Sequence, residues 1–165
     1  MDRAGQQSLM RVTIIAVGRK MPSWVDQGVA EYRKRLPPSL KLELREIPLA
    51  RRGKDYDAVQ CMAMEAKAIL KAVPERDRLL ALDVNGDRWS TAELAKRFSD
   101  WQSSGAGYSL LIGGPDGMDE SLLRQADLRW SLSPLTLAHS LVRVIVLEQL
   151  YRAWTINTHH PYHRP

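Results

Sequence analysis

The chain has 165 residues, 44% apolar and 26% charged, which is typical of one soluble globular domain that buries its own core without cross-links. The single cysteine, Cys61, excludes an intramolecular disulfide and a cysteine-rich zinc site, and it fits a reducing, cytoplasmic location. A net charge of +5 favours a polyanionic partner such as nucleic acid, and no apolar run reaches the roughly 18 residues of a membrane span.

Strand and helix patterns alternate through the first two thirds of the chain. Residues 1–8 are too short and polar for a secretory signal, so we expect a loose N-terminal extension before a single domain at residues 9–165. The predicted elements are a strand at 10–17, a helix at 23–36, a strand at 40–47, a helix at 57–73, a strand at 79–83, a turn at 85–87 and a helix at 90–102. The basic loop at residues 51–54 (RRGK) is either a phosphate contact or a solvated surface turn. This alternation predicts an α/β domain with a mostly parallel sheet.

Two further strands end in loops that suit a ligand. Residues 110–112 lead into Gly113-Gly114 and a turn at 115–117, and residues 128–132 lead into the unusually apolar loop 133–137 (SPLTL). Ligands of open α/β proteins bind at the carboxyl ends of parallel strands. A glycine pair admits close backbone approach, and leucines can cover a flat ring. The sequence therefore predicts a small-molecule pocket between these loops.

The C-terminal helix, residues 140–154, is apolar nearly all round, which predicts burial on most sides and a subunit interface. Glu148 and Arg152 are spaced to pair on one face. Arg143 lies on an apolar stripe and needs an anionic partner, either a substrate or a buried structural carboxylate. The tail at 155–165 is either a frayed end or a nucleotide-binding element, because Tyr162-His163-Arg164 combines a stacking ring, an imidazole and a cation.

Several common chemistries find no support in the motifs. The sequence has no G-x-G-x-x-G after a strand, no phosphate-binding G-x-x-x-x-G-K-[ST] loop and no G-x-S-x-G nucleophile turn. The tail histidines lack the helical spacing of a H-E-x-x-H site, so we expect no bound metal. A metal-dependent hydrolase that uses those histidines is kept only as an alternative.

The blocks LLIGGPDG, RWSLSPLTLAHSLVRVIVLEQLYRAW and HHPYHR, with VTIIAVGRKMPSWVDQGVAEYRKRL near the start, closely resemble the ribosomal RNA large subunit methyltransferase H family of the SPOUT superfamily. The resemblance covers almost everything from about Met10 onward. It implies helices on both faces of the sheet, a C-terminal trefoil knot and a homodimer formed through the C-terminal helix. General topology rules alone would predict an unknotted sheet.

The resemblance also implies S-adenosylmethionine as cofactor and, as substrate, a pseudouridine of 23S ribosomal RNA that is methylated at N3 on assembled ribosomes. From the chemistry of this reaction we hypothesise that Tyr162 and His163 hold the target base, with His163 the proton acceptor. Arg152 or Arg164 would hold the methionine carboxylate or the RNA backbone, and Arg152 is counted with Tyr162 and His163 as catalytic. Arg143 and Arg164 are the predicted substrate-binding residues. The implied cofactor positions are Leu82, Gly113, Leu132, Ser133, Pro134, Leu135, Thr136 and Leu137. The alternatives left open are a transfer RNA methyltransferase of the same superfamily and a non-catalytic ribosome-binding module.

Overall fold

The computed structural model describes residues 9–164. Within that range strands and helices alternate without exception. In chain order they are β1 Met10–Val17, α1 Ser23–Arg35, β2 Leu40–Ile47, α2 Ala58–Ala72, β3 Arg78–Arg88, α3 Thr91–Ser104, β4 Tyr108–Ile112, α4 Glu120–Gln125, β5 Leu128–Ser131 and α5 His139–Asn157. The loose extension expected at residues 1–8 lies outside the described residues. None of the described helices is both long enough and apolar enough to cross a bilayer.

The five strands form one sheet in the order β2-β1-β4-β3-β5, and every described pairing is parallel. All five residues of the central strand β4 are buried. A strand covered on both faces needs a continuous apolar run, and β4 has one over most of its length. The predicted α/β fold with a mostly parallel sheet is therefore confirmed.

Helices cover both faces of this sheet, as predicted. Alternate residues of a strand point to opposite faces. Val12 and Ile14 of β1 belong to the same apolar cluster as α1, α3 and α5, whereas Ile15 of β1 packs in a second cluster with α2 and α4. The five helices thus divide three to one face and two to the other.

This division opens a crevice beside β4. After β4 the chain passes to α4 on one face, while after the neighbouring strands β1 and β3 it passes to α1 and α3 on the opposite face. Where adjacent parallel strands lead their connections to opposite faces, a gap is left outside the carboxyl ends of the strands. Such a switch point lies on each side of β4.

The helix boundaries follow local chemistry. A capping box between Ser90 and Glu93 begins α3, and Gly105 ends that helix with a φ of 72°. A second capping box, between Asp57 and Gln60, begins α2. The last helix, α5, is longer than the predicted 140–154.

Helix α5 packs on the sheet between α1 and α3. No residue of α5 before Asn157 is fully exposed within this single chain. Its apolar composition is therefore explained largely by packing against its own sheet and helices. The homodimer contact predicted from that composition remains a proposal.

The turn predicted at residues 85–87 is wrong. These residues stay within β3, which shifts its register so that both Leu82 and Asp87 pair with Trp130 of β5. A Cβ on Gly86 would lie 2.7 Å from the backbone carbon of Arg129. Gly86 is thus needed for the close approach of β3 to β5, and no reversal of the chain takes place there.

Candidate functional site

A cavity of about 220 Å³ opens at the carboxyl ends of β3, β4 and β5, at the crevice beside β4. Its wall is mostly apolar and comes from the end of β3, the glycine turn, the loop after β5 and the first turn of α5. The lining residues are Leu82, Asp83, Val84, Ile112, Gly113, Gly114, Pro115, Gly117, Met118, Leu123, Trp130, Leu132, Ser133, Leu135, Thr136, Leu137, His139 and Val142. Of the eight predicted cofactor positions, seven lie in this wall, and Pro134 does not.

The glycine turn forms the wall nearest β4. The N–H of Gly117 donates to the carbonyl of Gly114 at 3.0 Å, and Gly117 has a φ of 87°, so the predicted turn is present. A Cβ on Gly113 would lie 2.8 Å from Cγ of Met118 and 2.9 Å from the carbonyl carbon of Gly117. Only glycine lets this turn fold back so tightly, and the result is a wall made of backbone.

The register shift of β3 supplies a second part of the wall. Residues 83–86 bulge out between the two positions that pair with Trp130, and this bulge carries Asp83 and Val84 into the cavity lining. The Asp83 carboxylate lies 3.9 Å from the guanidinium of Arg129. We did not foresee this element, because a turn signal in the sequence does not distinguish a bulge from a reversal.

The leucine-rich loop is held by two serine hydrogen bonds. The Ser131 hydroxyl donates to the Ser133 carbonyl, and the Leu135 N–H donates to the Ser133 hydroxyl, each at 3.0 Å. Leu135 is nevertheless 69% exposed. An ordered loop that holds a large apolar side chain in solvent is typical of a surface that a ligand covers.

Trp130 gives the cavity a rigid aromatic side. Its ring stacks on Trp89 with centroids 5.4 Å apart and an interplanar angle of 14°. Arg97 in turn lies over Trp89, 4.3 Å from the ring centroid. No local pattern indicates Trp130 as a cavity residue, because its place beside the ligand loops depends on the pairing of β5 with β3.

His139 is the ionisable imidazole of this wall. Burial, with a smaller contribution from the charge of Arg143, lowers the pKa of His139 below its ordinary value. The imidazole is therefore neutral at neutral pH and leaves the cavity without an added positive charge at this point.

Arg143 lies below the cavity and is 2% exposed. Its guanidinium donates to the Glu46 carboxylate at 2.6 Å and to the backbone carbonyls of Val17 and Gly18 at 3.2 and 2.7 Å. These contacts match the buried structural ion pair that the sequence left as an alternative. They join α5 to the carboxyl ends of β1 and β2.

The predicted catalytic residues form a separate cluster, which we call the tail cluster: Glu148, Arg152, Tyr162 and His163. Arg152 pairs with Glu148 at 2.6 Å and lies over the Tyr162 ring, 4.7 Å from its centroid. The Tyr162 hydroxyl donates to Glu148 at 3.1 Å, and an Arg152 nitrogen lies 3.5 Å from Nδ1 of His163. Tyr162 and His163 are thus packed onto α5 and are not frayed.

The ionisation of the tail cluster limits what each group can do. Burial, together with hydrogen bonds to Tyr32 and Glu148, raises the pKa of Tyr162 to about 12. Tyr162 is therefore a phenol at neutral pH and acts as a hydrogen-bond donor. Because a guanidinium only donates, its contact with Nδ1 of His163 requires that nitrogen to accept. At 3.5 Å this contact is weak and leaves the imidazole free to change tautomer.

The cavity and the tail cluster do not meet within one chain. His139 and Val142, at the start of α5, line the cavity, and no member of the tail cluster does. Glu148 and Arg152 come six and ten residues after Val142 on the same helix, rises of about 9 and 15 Å. Tyr162 and His163, which contact Glu148 and Arg152, therefore lie outside the cavity wall of their own chain.

The remaining predicted residues are easily placed. Arg164 is exposed and has no hydrogen bond or ion pair with the other described residues. Within residues 9–164, no three His, Cys, Asp or Glu side chains are grouped as a metal site would require. Arg52 of the basic loop is committed to an ion pair with Asp116 of the glycine turn at 2.8 Å, so it is not a free phosphate contact.

Comparison with known proteins gives a consistent result over nearly the whole chain. Residues 10–163 match a family described as "Predicted SPOUT methyltransferase". The chain is 51% identical over 155 residues to "Ribosomal RNA large subunit methyltransferase H" of Marinomonas sp. (strain MWYL1), which covers 94% of this chain and 100% of that protein. A protein of the same name from Hydrogenovibrio crunogenus is 50% identical over 155 residues, covering 94% of this chain and 99% of its own length.

Proposed function

The chain belongs to the SPOUT methyltransferase family, and on that premise we propose that it methylates N3 of a pseudouridine in 23S ribosomal RNA on assembled ribosomes, with S-adenosylmethionine as methyl donor. The family match and the names of the relatives support this activity. The observation on which the proposal rests is that the glycine turn and the leucine-rich loop, far apart in sequence, form one cavity at a switch point of the sheet. An enzyme with this substrate works in the cytoplasm.

The cavity has the chemistry that an adenosyl group requires. Backbone atoms of Gly113 and of the loop at 132–137 supply hydrogen-bonding groups, and Leu82, Trp130 and Leu135 supply apolar surface for the two faces of a purine. The Gly113 position, where a Cβ would overlap Met118, keeps the backbone accessible. When bound, the sulfonium cofactor supplies an electrophilic methyl group, whose transfer to nitrogen is an in-line displacement that leaves a thioether.

The substrate groups come from a second copy of the chain in this proposal. Tyr162 and His163 lie outside the cavity wall of their own subunit, so a homodimer that places one tail at the other cavity joins the two halves. Contact through α5, and the knot expected from the family, belong to this proposal. Arg164, exposed beyond the tail cluster, contacts the RNA backbone.

The residues of the tail cluster then divide the work between orientation and proton transfer. N3 of the base must lose its proton before the nitrogen can attack, and His163 accepts that proton. Tyr162 stays protonated and donates a hydrogen bond, while Arg152, oriented by Glu148, favours the anionic base. Most of the rate enhancement comes from holding the base in line with the methyl group.

Mass mapping of 23S ribosomal RNA tests the activity. Ribosomes from cells that lack the protein are incubated with the enzyme and S-adenosylmethionine, and one pseudouridine is expected to gain a single methyl group. Bulk transfer RNA serves as the competing substrate. Methylation of transfer RNA alone would support the transfer RNA enzyme, and calorimetry without detectable cofactor binding would support the non-catalytic module.

A further inference from the structure

We propose that four exposed cations after β1 and β2 bind the phosphodiester backbone of folded RNA beside the cavity. These residues, Arg19, Lys20, Arg51 and Lys54, are called the basic rim. The proposal deepens the proposed function, on which it rests, by naming the surface of the protein that holds the substrate. It does not involve the tail cluster or the cavity wall.

The position of the basic rim follows from the sheet. Val17 of β1 pairs with Ile47 of β2, so the loops that follow these strands leave the same edge side by side. The cavity opens at that edge too. A Cβ on Gly114 of the glycine turn would lie 3.1 Å from the Val17 side chain and 3.3 Å from that of Leu49. The basic rim is therefore continuous with the cavity wall.

The loop of residues 51–54 is fastened to the cavity by Arg52. This guanidinium pairs at 2.8 Å with Asp116 of the glycine turn and at 2.8 Å with Glu65, and it donates to the Ala50 carbonyl at 2.8 Å. The Glu65 side chain is only 3% exposed. Because Arg52 fixes the position of the loop, the exposed side chains of Arg51 and Lys54 are held beside the cavity.

The loop after β1 is fixed in a comparable way. Arg143 bonds the carbonyls of Val17 and Gly18, and Gly18 has a φ of 110°, which glycine adopts far more readily than other residues. Lys20 has a φ of 58°, a left-handed conformation that is unfavourable for a residue with a side chain. A strained, anchored loop that presents cations is typical of a binding element.

The charges of the basic rim are unbalanced. Residues 18–22 contain no acid, and residues 48–56 contain three cations against Asp55 alone. Across residues 9–164, Arg19, Lys20, Arg51 and Lys54 have no ion-pair partner, whereas Arg35 and Arg45 are paired with glutamates. Unpaired surface cations in two fixed loops match the repeating phosphates of a folded nucleic acid. An acidic protein surface is the competing occupant.

The test is a triple variant with Lys20→Gln, Arg51→Gln and Lys54→Gln, assayed on assembled ribosomes over a range of salt concentrations. We expect KM to rise on the order of tenfold or more at moderate salt, with kcat unchanged at saturating ribosomes. Each lost phosphate contact lowers the slope of log KM against log salt by about one. The slope should therefore fall by about three, and each single variant should lower it by about one.

A matched control removes three exposed cations from the opposite edge of the protein. Lys41 and Arg78 begin β2 and β3, and Lys71 lies in the last turn of α2, so Lys41→Gln, Arg78→Gln and Lys71→Gln lower the net charge equally away from the cavity. This variant should keep the wild-type KM and salt slope. Equal effects of the two triple variants would overturn the proposal, because they would reflect net charge alone.

Direct binding separates this inference from the proposed function. Binding of the wild type and both variants to ribosomes and to protein-free 23S ribosomal RNA is measured by titration without cofactor. If the wild type binds RNA but does not methylate it, the proposed function is refuted. The basic rim is still supported in that case if the rim variant binds protein-free RNA more weakly than the wild type does. The proposal of the basic rim is overturned if the wild type does not bind RNA. It is also overturned if the rim variant binds ribosomes more weakly than the wild type does but binds protein-free RNA with the same affinity.

Discussion

The cavity and the tail cluster are built in opposite ways. The cavity is formed at the ends of three parallel strands, and much of its wall is backbone held by glycines and serine hydrogen bonds. The tail cluster consists of charged and aromatic side chains that pack on the last turns of one helix. The first suits a ligand bound by shape, and the second suits proton transfer and base orientation.

Their separation along α5, about 9–15 Å from Val142 to Glu148 and Arg152, carries the main lesson. Neither region is a complete methyltransferase site, although one chain contains both. In our account the cavity of one subunit and the tail cluster of another make each site, so changes in the two regions should alter different measurable quantities.

The largest effect is expected from His163→Ala. Removing a general base costs about 10²–10⁴-fold in rate, and we expect kcat for ribosome methylation to fall within that range. The dissociation constant of S-adenosylmethionine, measured by calorimetry, should stay within about twofold of the wild type. A variant that loses cofactor affinity as well would place His163 at the cavity and contradict the separation.

A change in the cavity should show the reverse pattern. In Gly113→Ala the new methyl group meets Met118 at 2.8 Å, so the turn must open and cofactor affinity should fall at least about tenfold, since each 1.4 kcal/mol lost is a factor of ten. The control is Gly53→Ala, where nothing lies within 4 Å of the added carbon. Unchanged calorimetric affinity in Gly113→Ala would remove the glycine turn from the cofactor site.

Tyr162→Phe should have a smaller effect. The variant keeps the ring beneath Arg152 and loses the hydrogen bonds of the hydroxyl to Glu148 and Tyr32. Such a bond is typically worth about 0.5–1.5 kcal/mol, and somewhat more when the partner is charged. We expect a fall in kcat of about threefold to tenfold. The pH profile between pH 6 and 9 should not change, because the Tyr162 phenol is protonated throughout that range. A profile that shifts would show that Tyr162 titrates in the mechanism.

The smallest effect is on stability, at His139. Its pKa is lower in the folded protein than in the unfolded chain, so the unfolded state binds more protons in the window below pH 6.5. The stabilisation is fully present above pH 6.5 and is lost as the pH falls through the folded pKa. In His139→Gln, chemical denaturation should show a weaker decline in stability across this window. An identical decline in both proteins would contradict the buried, neutral imidazole.

The sequence predicted the cavity better than its surroundings. The glycine turn and the leucine-rich loop are local features, and the parallel sheet brings their strand ends together, so Gly113 and Leu135 could be assigned before any coordinates. The bulge at residues 83–86 could not, because the register shift depends on Trp130 in a strand more than forty residues away. The ion-pair partner of Arg143 could not be predicted from the sequence either, because Glu46 lies ninety-seven positions earlier.

The sequence indicated which residues form the tail cluster but not where they lie in the fold. The pairing of Glu148 with Arg152 follows from helical spacing and is confirmed. The folding of Tyr162 back onto α5 depends on Tyr151, with ring centroids 4.6 Å apart, and on Tyr32 of α1. These are tertiary contacts that a pattern in one segment does not contain.

Complementation between a cavity variant and a tail variant examines the split site itself. Gly113→Ala, with a damaged cavity, and His163→Ala, with a damaged tail, are co-expressed with different affinity tags. The mixed dimers are purified and assayed on ribosomes at a cofactor concentration well below the dissociation constant of Gly113→Ala. If one subunit's tail serves the other's cavity, each mixed dimer contains one intact site, and activity should recover to about half that of the wild-type dimer. Mixed dimers no more active than the two parent variants under the same conditions would contradict the account.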